Sequence, residues 1–212
     1  MESSPKLGSI IRRVEAGAHL SREQAAAAMG ELLAGHVRHE EIVRLLSALR
    51  RRPYTVAELA GFASAMRRRA GRVFAPEEAL PAHLVDTCGT GGDGSGTFNI
   101  STAAAIVAAA AGARVAKHGV RGISSRVGSA DVLEALGVRI ELPLERAGAA
   151  IRQIGIGFLF APTAHASTRH AMPARRELGG RTVFNLLGPL TNPAGARAQV
   201  LGVYSPDILD LV

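Results

Sequence analysis

The sequence contains no tryptophan, two tyrosines, six phenylalanines and one cysteine among its 212 residues. A single cysteine, Cys88, rules out a disulfide framework within the chain and fits a reducing, cytoplasmic setting. Long apolar runs are also missing. The longest, AAAIVAAAAGA from Ala103, is too short and too alanine-rich to span a bilayer. The start, MESSPKLGSIIRRVEAG, lacks the basic, apolar and small-residue regions of a signal peptide. A membrane is therefore not expected as a partner. Acidic side chains are in deficit, 18 against 25 Lys and Arg, for a net charge of +7. Such an excess serves nucleic acid, serves anionic metabolites, or is only an arginine-rich surface. The basic residues are scattered apart from Arg50–Arg52 and Arg67–Arg69, and aromatic platforms for base stacking are scarce. A phosphorylated small molecule suits this charge better than nucleic acid. No repeat of 20–50 residues is visible.

What is present is a core-forming composition, 47% hydrophobic. Residues 1–71 read as helices. LSREQAAAAMGELLAG carries Ser21 three before Gln24, a capping-box pattern, and stops at Gly35. HEEIVRLLSALRRR ends in basic residues before Pro53. In TVAELAGFASAMRRRAG, Thr55 caps with Glu58 three later, and Gly71 ends the run. Residues 72–83, RVFAPEEALPAH, hold two prolines and read as a connector. From Leu84 the period changes. HLVDTCG, ARVAKHG, VRIEL, IGFLFAP and AQVLGVYS read as strands. The stretches from Ser101, SADVLEALG, PLERAGAAIRQIG and much of Thr168–Leu178 read as helices. The alternation predicts an α/β protein: a small N-terminal α-helical domain (1–71), then a larger α/β domain (84–212) with a mainly parallel central sheet.

The most unusual stretch is DTCGTGGDGSGTFNIST, Asp86–Thr102, with five glycines between Gly89 and Gly96. It joins a predicted strand to a predicted helix. In that place, backbone N–H groups and the helix dipole form a ready anion site. The loop lacks the Lys-Ser/Thr ending of a Walker A loop and the spacing of a dinucleotide fingerprint. Taken alone, it also reads as a mobile loop, and Asn99–Thr102 as ordinary N-capping. Asp93 would repel a phosphate unless it binds a hydroxyl, a metal or another donor. A second cluster, KHGVRGISSRVGSAD, follows the second strand and supplies Lys117, His118, Arg121, Ser124, Ser125 and Ser129. Strand-end loops on neighbouring parallel strands lie where open α/β sheets bind ligands. His118 alone reads equally as a structural histidine, and Ser125 and Ser129 as turn formers or caps.

DTCGTGGDGSGTFNIST, VAKHGVR with ISS and GSADVLEALG, GIGFLFAP and RRELGGRTVFNLLGPLTNPA together resemble the anthranilate phosphoribosyltransferase family of tryptophan biosynthesis. The resemblance covers nearly the whole chain. It implies a nucleoside-phosphorylase/phosphoribosyltransferase type of fold, with helices that form a homodimer hinged to an α/β domain. It implies transfer of phosphoribose from PRPP to the amine of anthranilate, releasing pyrophosphate, with Mg²⁺. By position it implies that Gly89, Gly91, Gly92, Asp93, Thr97, Asn99, Ile100, Ser101 and Thr102 hold PRPP, with the Ser101 hydroxyl on Mg²⁺. Lys117, His118, Gly119, Arg121, Ser124, Ser125 and Ser129 would take pyrophosphate and ribose. Gly89, Val120, His165 and Arg175 would meet anthranilate. Lys117 and His118 would act electrostatically. FNLLGPLTNP reads as architectural, with Gly188, Pro189 and Pro193 shaping turns while Phe184 and Leu186 pack.

The sequence departs from the family pattern in three places. Val120 stands where the family has Asn, and it offers neither a donor nor an acceptor to the substrate. The run after FLFAP keeps His165 but has Ala166, Ser167 and Thr168 in place of the family's Pro-Ala-Met. The family continues past position 212 and supplies an Asp-Glu pair for a second Mg²⁺; Asp207 and Asp210 are not that pair. The chain accordingly reads as a fragment, a truncated product or a degenerate paralogue, with an exposed sheet edge or apolar patch. The alternative functions are a PRPP-binding paralogue, inactive or with another acceptor, and a pyrimidine-nucleoside phosphorylase.

Overall fold

The structure, a computed structural model, describes residues 5–92, 94–122 and 127–212. Its elements are α1 (Pro5–Glu15), α2 (Arg22–Ala34), α3 (His39–Arg50), α4 (Val56–Arg69), β1 (Leu84–Gly89), α5 (Ile100–Ala110), β2 (Arg114–Gly119), α6 (Ser129–Ala135), α7 (Leu144–Ile154), β3 (Ile156–Phe160), α8 (Ala161–Ala164), α9 (Met172–Leu178), α10 (Val183–Leu190) and β4 (Ala198–Gly202). They fall into two compact units. One comprises residues 1–69, 167–191 and 207–212; the other comprises 70–166 and 192–206. Segments 167–191 and 207–212, which the sequence places with the α/β region, thus group by contact with the N-terminal helices.

In the helical unit the predicted caps form. Ser21 Oγ accepts the Gln24 N–H, the Gln24 side chain accepts the Ser21 N–H, and Gly35 closes α2 with a left-handed φ of 82°. Leu32, Leu33, Leu45, Leu46, Leu49, Leu59 and Phe62 are buried, at the three- and four-residue spacing that defines one helix face. Thr55 and Glu58 exchange hydrogen bonds at the start of α4. Glu58 is also fully buried and accepts two hydrogen bonds from Arg52, at 2.6 and 3.0 Å, and one from the Leu20 N–H. Burial pushes its carboxyl up. The Arg52 guanidinium and the N–H groups of Leu20 and Thr55 outweigh this and hold its pKa at about 2.

Segment 183–190 corrects the sequence reading. It is a helix, with Gly188 and Pro189 in its last turn rather than in free turns. Pro189 has no N–H to give the Asn185 carbonyl, and the helix ends one residue later. Thr191 Oγ1 donates to the Leu187 carbonyl, one of those the helix end leaves without an intrahelical partner, at 2.8 Å. Phe184 and Leu186 are buried as expected.

The α/β unit carries a four-stranded sheet of order β3-β2-β1-β4, parallel throughout. The parallel sheet of the sequence reading is present, with one strand fewer. VRIEL, residues 138–142, is not a strand. Its alternation looks like a strand, but only Ile140 of the five is buried, packed with Ala130, Leu133 and Phe160. The place beside β2 is taken by β3. A second core joins Leu84, Ala116, Leu144, Ala147, Ile151 and Leu159. β4 is an edge strand with Val200 73% exposed, the exposed edge anticipated from the sequence.

The Glu58 cluster gives a pH test. A carboxyl depressed in the folded state stabilises fully above its unfolded pKa, near 4.5, and loses that contribution as pH falls toward about 2. Glu58→Gln should cost about 3–5 kcal/mol at neutral pH by stranding Arg52. The difference from the parent in denaturant unfolding should shrink steadily between pH 5 and pH 2.

Candidate active site

Two loops leave the same end of neighbouring parallel strands. The first follows β1, and its glycines 91, 92, 94 and 96 all have φ between 63° and 73°. Around Gly91, Gly94 and Gly96 an added Cβ would meet nothing within 4 Å. Left-handed backbone, not crowding, therefore requires glycine there. Gly89 ends β1 opposite Gly202 of β4, and the Thr90 N–H donates to the Gly202 carbonyl. Thr97 contacts Ser95 hydroxyl to hydroxyl at 3.1 Å.

The loop delivers the chain into α5. Asn99 precedes the helix but does not cap it with its side chain. Instead, Asn99 Nδ2 donates to the Val127 carbonyl at 3.2 Å and ties the first loop to the second. Ile100 is exposed. The Ser101 carbonyl accepts from Thr87 Oγ1 at 2.7 Å, which pins the first turn of α5 to β1. Thr102 is buried, and its Oγ1 has no hydrogen-bond partner among the described residues.

Lys117, from β2, is 2% exposed. Its Nζ donates to the Thr87 carbonyl at 2.7 Å and to Ser101 Oγ at 3.3 Å. An ammonium thus sits under the N-terminal turn of a helix whose dipole is already positive there. Burial lowers the Lys117 pKa, and the nearby Asp86 carboxylate opposes that shift. Asp86 is fully buried, accepts the His118 N–H at 3.3 Å and accepts from Gln199 Nε2 at 3.0 Å. Cys88 is buried beside it, and burial, reinforced by Asp86, raises the thiol pKa. The His118 and His165 rings, both buried, meet edge to face with centroids 5.1 Å apart.

The second loop is closed by Asp131, whose Oδ2 accepts the N–H groups of Gly122 at 2.8 Å and Gly128 at 2.7 Å. These two bonds lower the Asp131 pKa. The Val120 carbonyl accepts from the Ala130 N–H and from Ser129 Oγ, and Gly119 leaves the room that Ser129 Oγ occupies. Arg121 does not present an open fork. Its guanidinium makes two hydrogen bonds to Glu134, at 2.6 and 3.0 Å, which raise its pKa. Asp93, Ser124 and Ser125 lie outside the described residues.

The structure therefore brings together Gly89, Asn99, Ser101, Thr102, Lys117, His118, Gly119, Val120, Ser129 and His165 within one unit. Arg175 belongs to the helical unit. Its guanidinium lies 5.0 Å from the centroid of the Phe184 ring and 3.6 Å from the Met172 sulfur. Among the described residues no acid pairs with it, and burial lowers its pKa. It is thus not a solvated helix charge. Asp86, Asp131, Asn192 and Gln199 were missed as site-shaping residues. A carboxylate in the apolar strand HLVDTCG was a signal for Asp86, and an acid three residues into a helix after Gly-Ser was one for Asp131.

The sequence matches two parts of one family. "Glycosyl transferase family, helical bundle domain" covers residues 8–70, and "Glycosyl transferase family, a/b domain" covers residues 81–212. An anthranilate phosphoribosyltransferase of Pelotomaculum thermopropionicum is 54% identical over 202 residues, 95% of this chain and 57% of that protein. The Thermus thermophilus crystal structure of an anthranilate phosphoribosyltransferase superposes with a TM-score of 0.87 at 52% identity, over 95% of this chain and 60% of the other. The Saccharomyces cerevisiae enzyme in complex with PRPP and Mg gives a TM-score of 0.86 at 30% identity, over 99% and 61%. The chain thus spans less than two thirds of the length of these relatives.

Gly128 gives a test of the second loop. A Cβ there would overlap the Gly122 nitrogen and the Arg121 carbonyl carbon, both backbone. Gly128→Ala should cost about 1–3 kcal/mol in urea unfolding. An unchanged midpoint would show that the loop does not close as described.

Proposed function

The chain belongs to the glycosyl transferase family of helical-bundle and α/β domains, and from that premise we propose that it acts as an anthranilate phosphoribosyltransferase. In this reading it transfers phosphoribose from PRPP to the amine of anthranilate and releases pyrophosphate. The observation that carries the reading is the buried Lys117 ammonium against Ser101 at the start of α5, with the second loop bonded alongside through Asn99. A cation, a helix N-terminus and left-handed glycines converge there on one anion-sized demand.

The protein's part in the reaction is positioning and charge. The glycine loop and the first N–H groups of α5 hold the donor's phosphates. Lys117 stabilises the negative charge that grows on pyrophosphate as its bond to the anomeric carbon lengthens. Ser129, at the start of α6, contributes toward pyrophosphate and ribose. Arg175, without an acid partner, is suited to the acceptor's carboxylate as a two-pronged donor. Orienting the amine over the anomeric carbon supplies up to ~7–11 kcal/mol in well-aligned cases.

Mg²⁺ belongs to the same reading. Mg²⁺ keeps several waters and is commonly carried by substrate phosphates with few protein ligands. Ser101 Oγ accepts from Lys117 and, as a hydroxyl, keeps a second lone pair for such an ion. When bound, Mg²⁺ would neutralise charge on the leaving pyrophosphate. Self-association through the helices of residues 1–71 and a cytoplasmic setting complete the proposal.

Titrating the chain with PRPP and Mg²⁺, then adding anthranilate and following its fluorescence, tests the reading. Saturable binding followed by loss of fluorescence is expected; no heat with PRPP would contradict it. Arg175→Ala should raise the KM for anthranilate at least tenfold and leave PRPP affinity alone. Val120→Asn should tighten anthranilate about tenfold, the ~1.4 kcal/mol of one regained hydrogen bond.

A further inference from the structure

The ladder between the two inner strands of the sheet stops just below the site. β1 keeps five register pairs with β4, Val85 to Gly89, and β2 keeps five with β3, Val115 to Gly119. Between β1 and β2 only two pairs exist, Leu84 with Arg114 and Val85 with Val115. In a parallel strand the N–H and C=O of alternate residues face opposite neighbours. The Val115 N–H reaches the Gly155 carbonyl on the β3 side, so Ala116 and His118 turn toward β1. The Thr90 N–H reaches the Gly202 carbonyl at the end of β4, so Thr87, three residues earlier, turns toward β2.

These orphaned groups lie in buried structure and must be paired. Side chains do it. Lys117 Nζ takes the Thr87 carbonyl at 2.7 Å, Asn192 Nδ2 takes the Ala116 carbonyl at 2.8 Å, and Asp86 Oδ1 takes the His118 N–H at 3.3 Å. The Asp86 side chain is itself braced from the edge strand by Gln199 Nε2 on its other oxygen.

We propose that Asp86, braced by Gln199, is a positioning residue for the donor site: its carboxylate bridges the gap between β1 and β2 and fixes the Lys117–His118 end of β2 under the first turn of α5. The inference rests on the donor reading of that site. Lys117 reaches Ser101 only while the end of β2 stays where Asp86 holds it. The bridge is a hydrogen bond accepted by a side-chain oxygen, so an amide can replace the carboxylate and a methyl group cannot. Gln199 can turn its own amide to suit either.

Three variants test this: Asp86→Ala, Asp86→Asn and Gln199→Ala. Two readouts serve, hydrogen exchange at the His118 amide without ligand and calorimetric affinity for PRPP with Mg²⁺. In Asp86→Ala the His118 amide should exchange at least tenfold faster and PRPP affinity should fall at least tenfold. Asp86→Asn, which keeps the acceptor but not the charge near Lys117, should restore the His118 exchange to within about threefold of the parent and bind PRPP more tightly than Asp86→Ala. Gln199 lies exposed on the edge strand, so Gln199→Ala folds even if Asp86→Ala does not, and it should weaken PRPP binding about threefold to tenfold. Parent-like exchange and affinity in Asp86→Ala, or in Gln199→Ala where the former does not fold, overturn the proposal. So does an Asp86→Asn variant as impaired as Asp86→Ala. If the parent itself gives no heat with PRPP, the donor reading falls and the positioning role with it. The His118 exchange would then still decide whether Asp86 closes the gap.

Discussion

The ammonium of Lys117 is the constraint around which the α/β unit is arranged. It is buried, and it points at the positive end of a helix. Each of those facts is unfavourable by itself. Asp86 offsets them from below, and the Thr87 carbonyl and Ser101 hydroxyl take two of the three donors. An anion above the first turn of α5 would complete the compensation. Where the ladder between β1 and β2 stops, the Thr87 carbonyl takes Lys117 Nζ as its donor.

The second loop is built by a different device. Asp131 draws the N–H groups of Gly122 and Gly128 together and so fixes both ends of the segment between them. Asn99 then joins this loop to the first through the Val127 carbonyl. Two separate stretches of sequence, one after β1 and one after β2, thereby act as one surface. Left-handed glycines in the first loop turn its N–H groups without side chains in the way.

Much of this was legible in the sequence, for physical reasons that can be named. Ser21 with Gln24 and Thr55 with Glu58 declared their helices through local hydrogen bonds that need no tertiary context. β1, β2, β3 and β4 stood out as short apolar runs ending in turn residues. VRIEL misled because its alternation carries no information about whether a neighbouring strand is free to pair. The helix 183–190 was hidden by Gly188 and Pro189, which read as turn formers but lie in its last turn. In the site, residue types were readable but their partners were not. Arg121 was expected to take an anion but its guanidinium is held by Glu134, and the Phe184 ring beside Arg175 could not be foreseen. Asp86 and Asn192 matter because a ladder is interrupted, which no local pattern records.

The central claim is that the first turn of α5, backed by Lys117, is where the phosphorylated donor is held. Mapping amide resonances of the labelled chain during titration with PRPP and Mg²⁺ tests it most directly. The account predicts saturable shifts concentrated at Gly89–Gly92, Ser101, Thr102 and Gly128–Ser129. Shifts confined to the arginine clusters at 50–52 and 67–69, with the start of α5 silent, would contradict it.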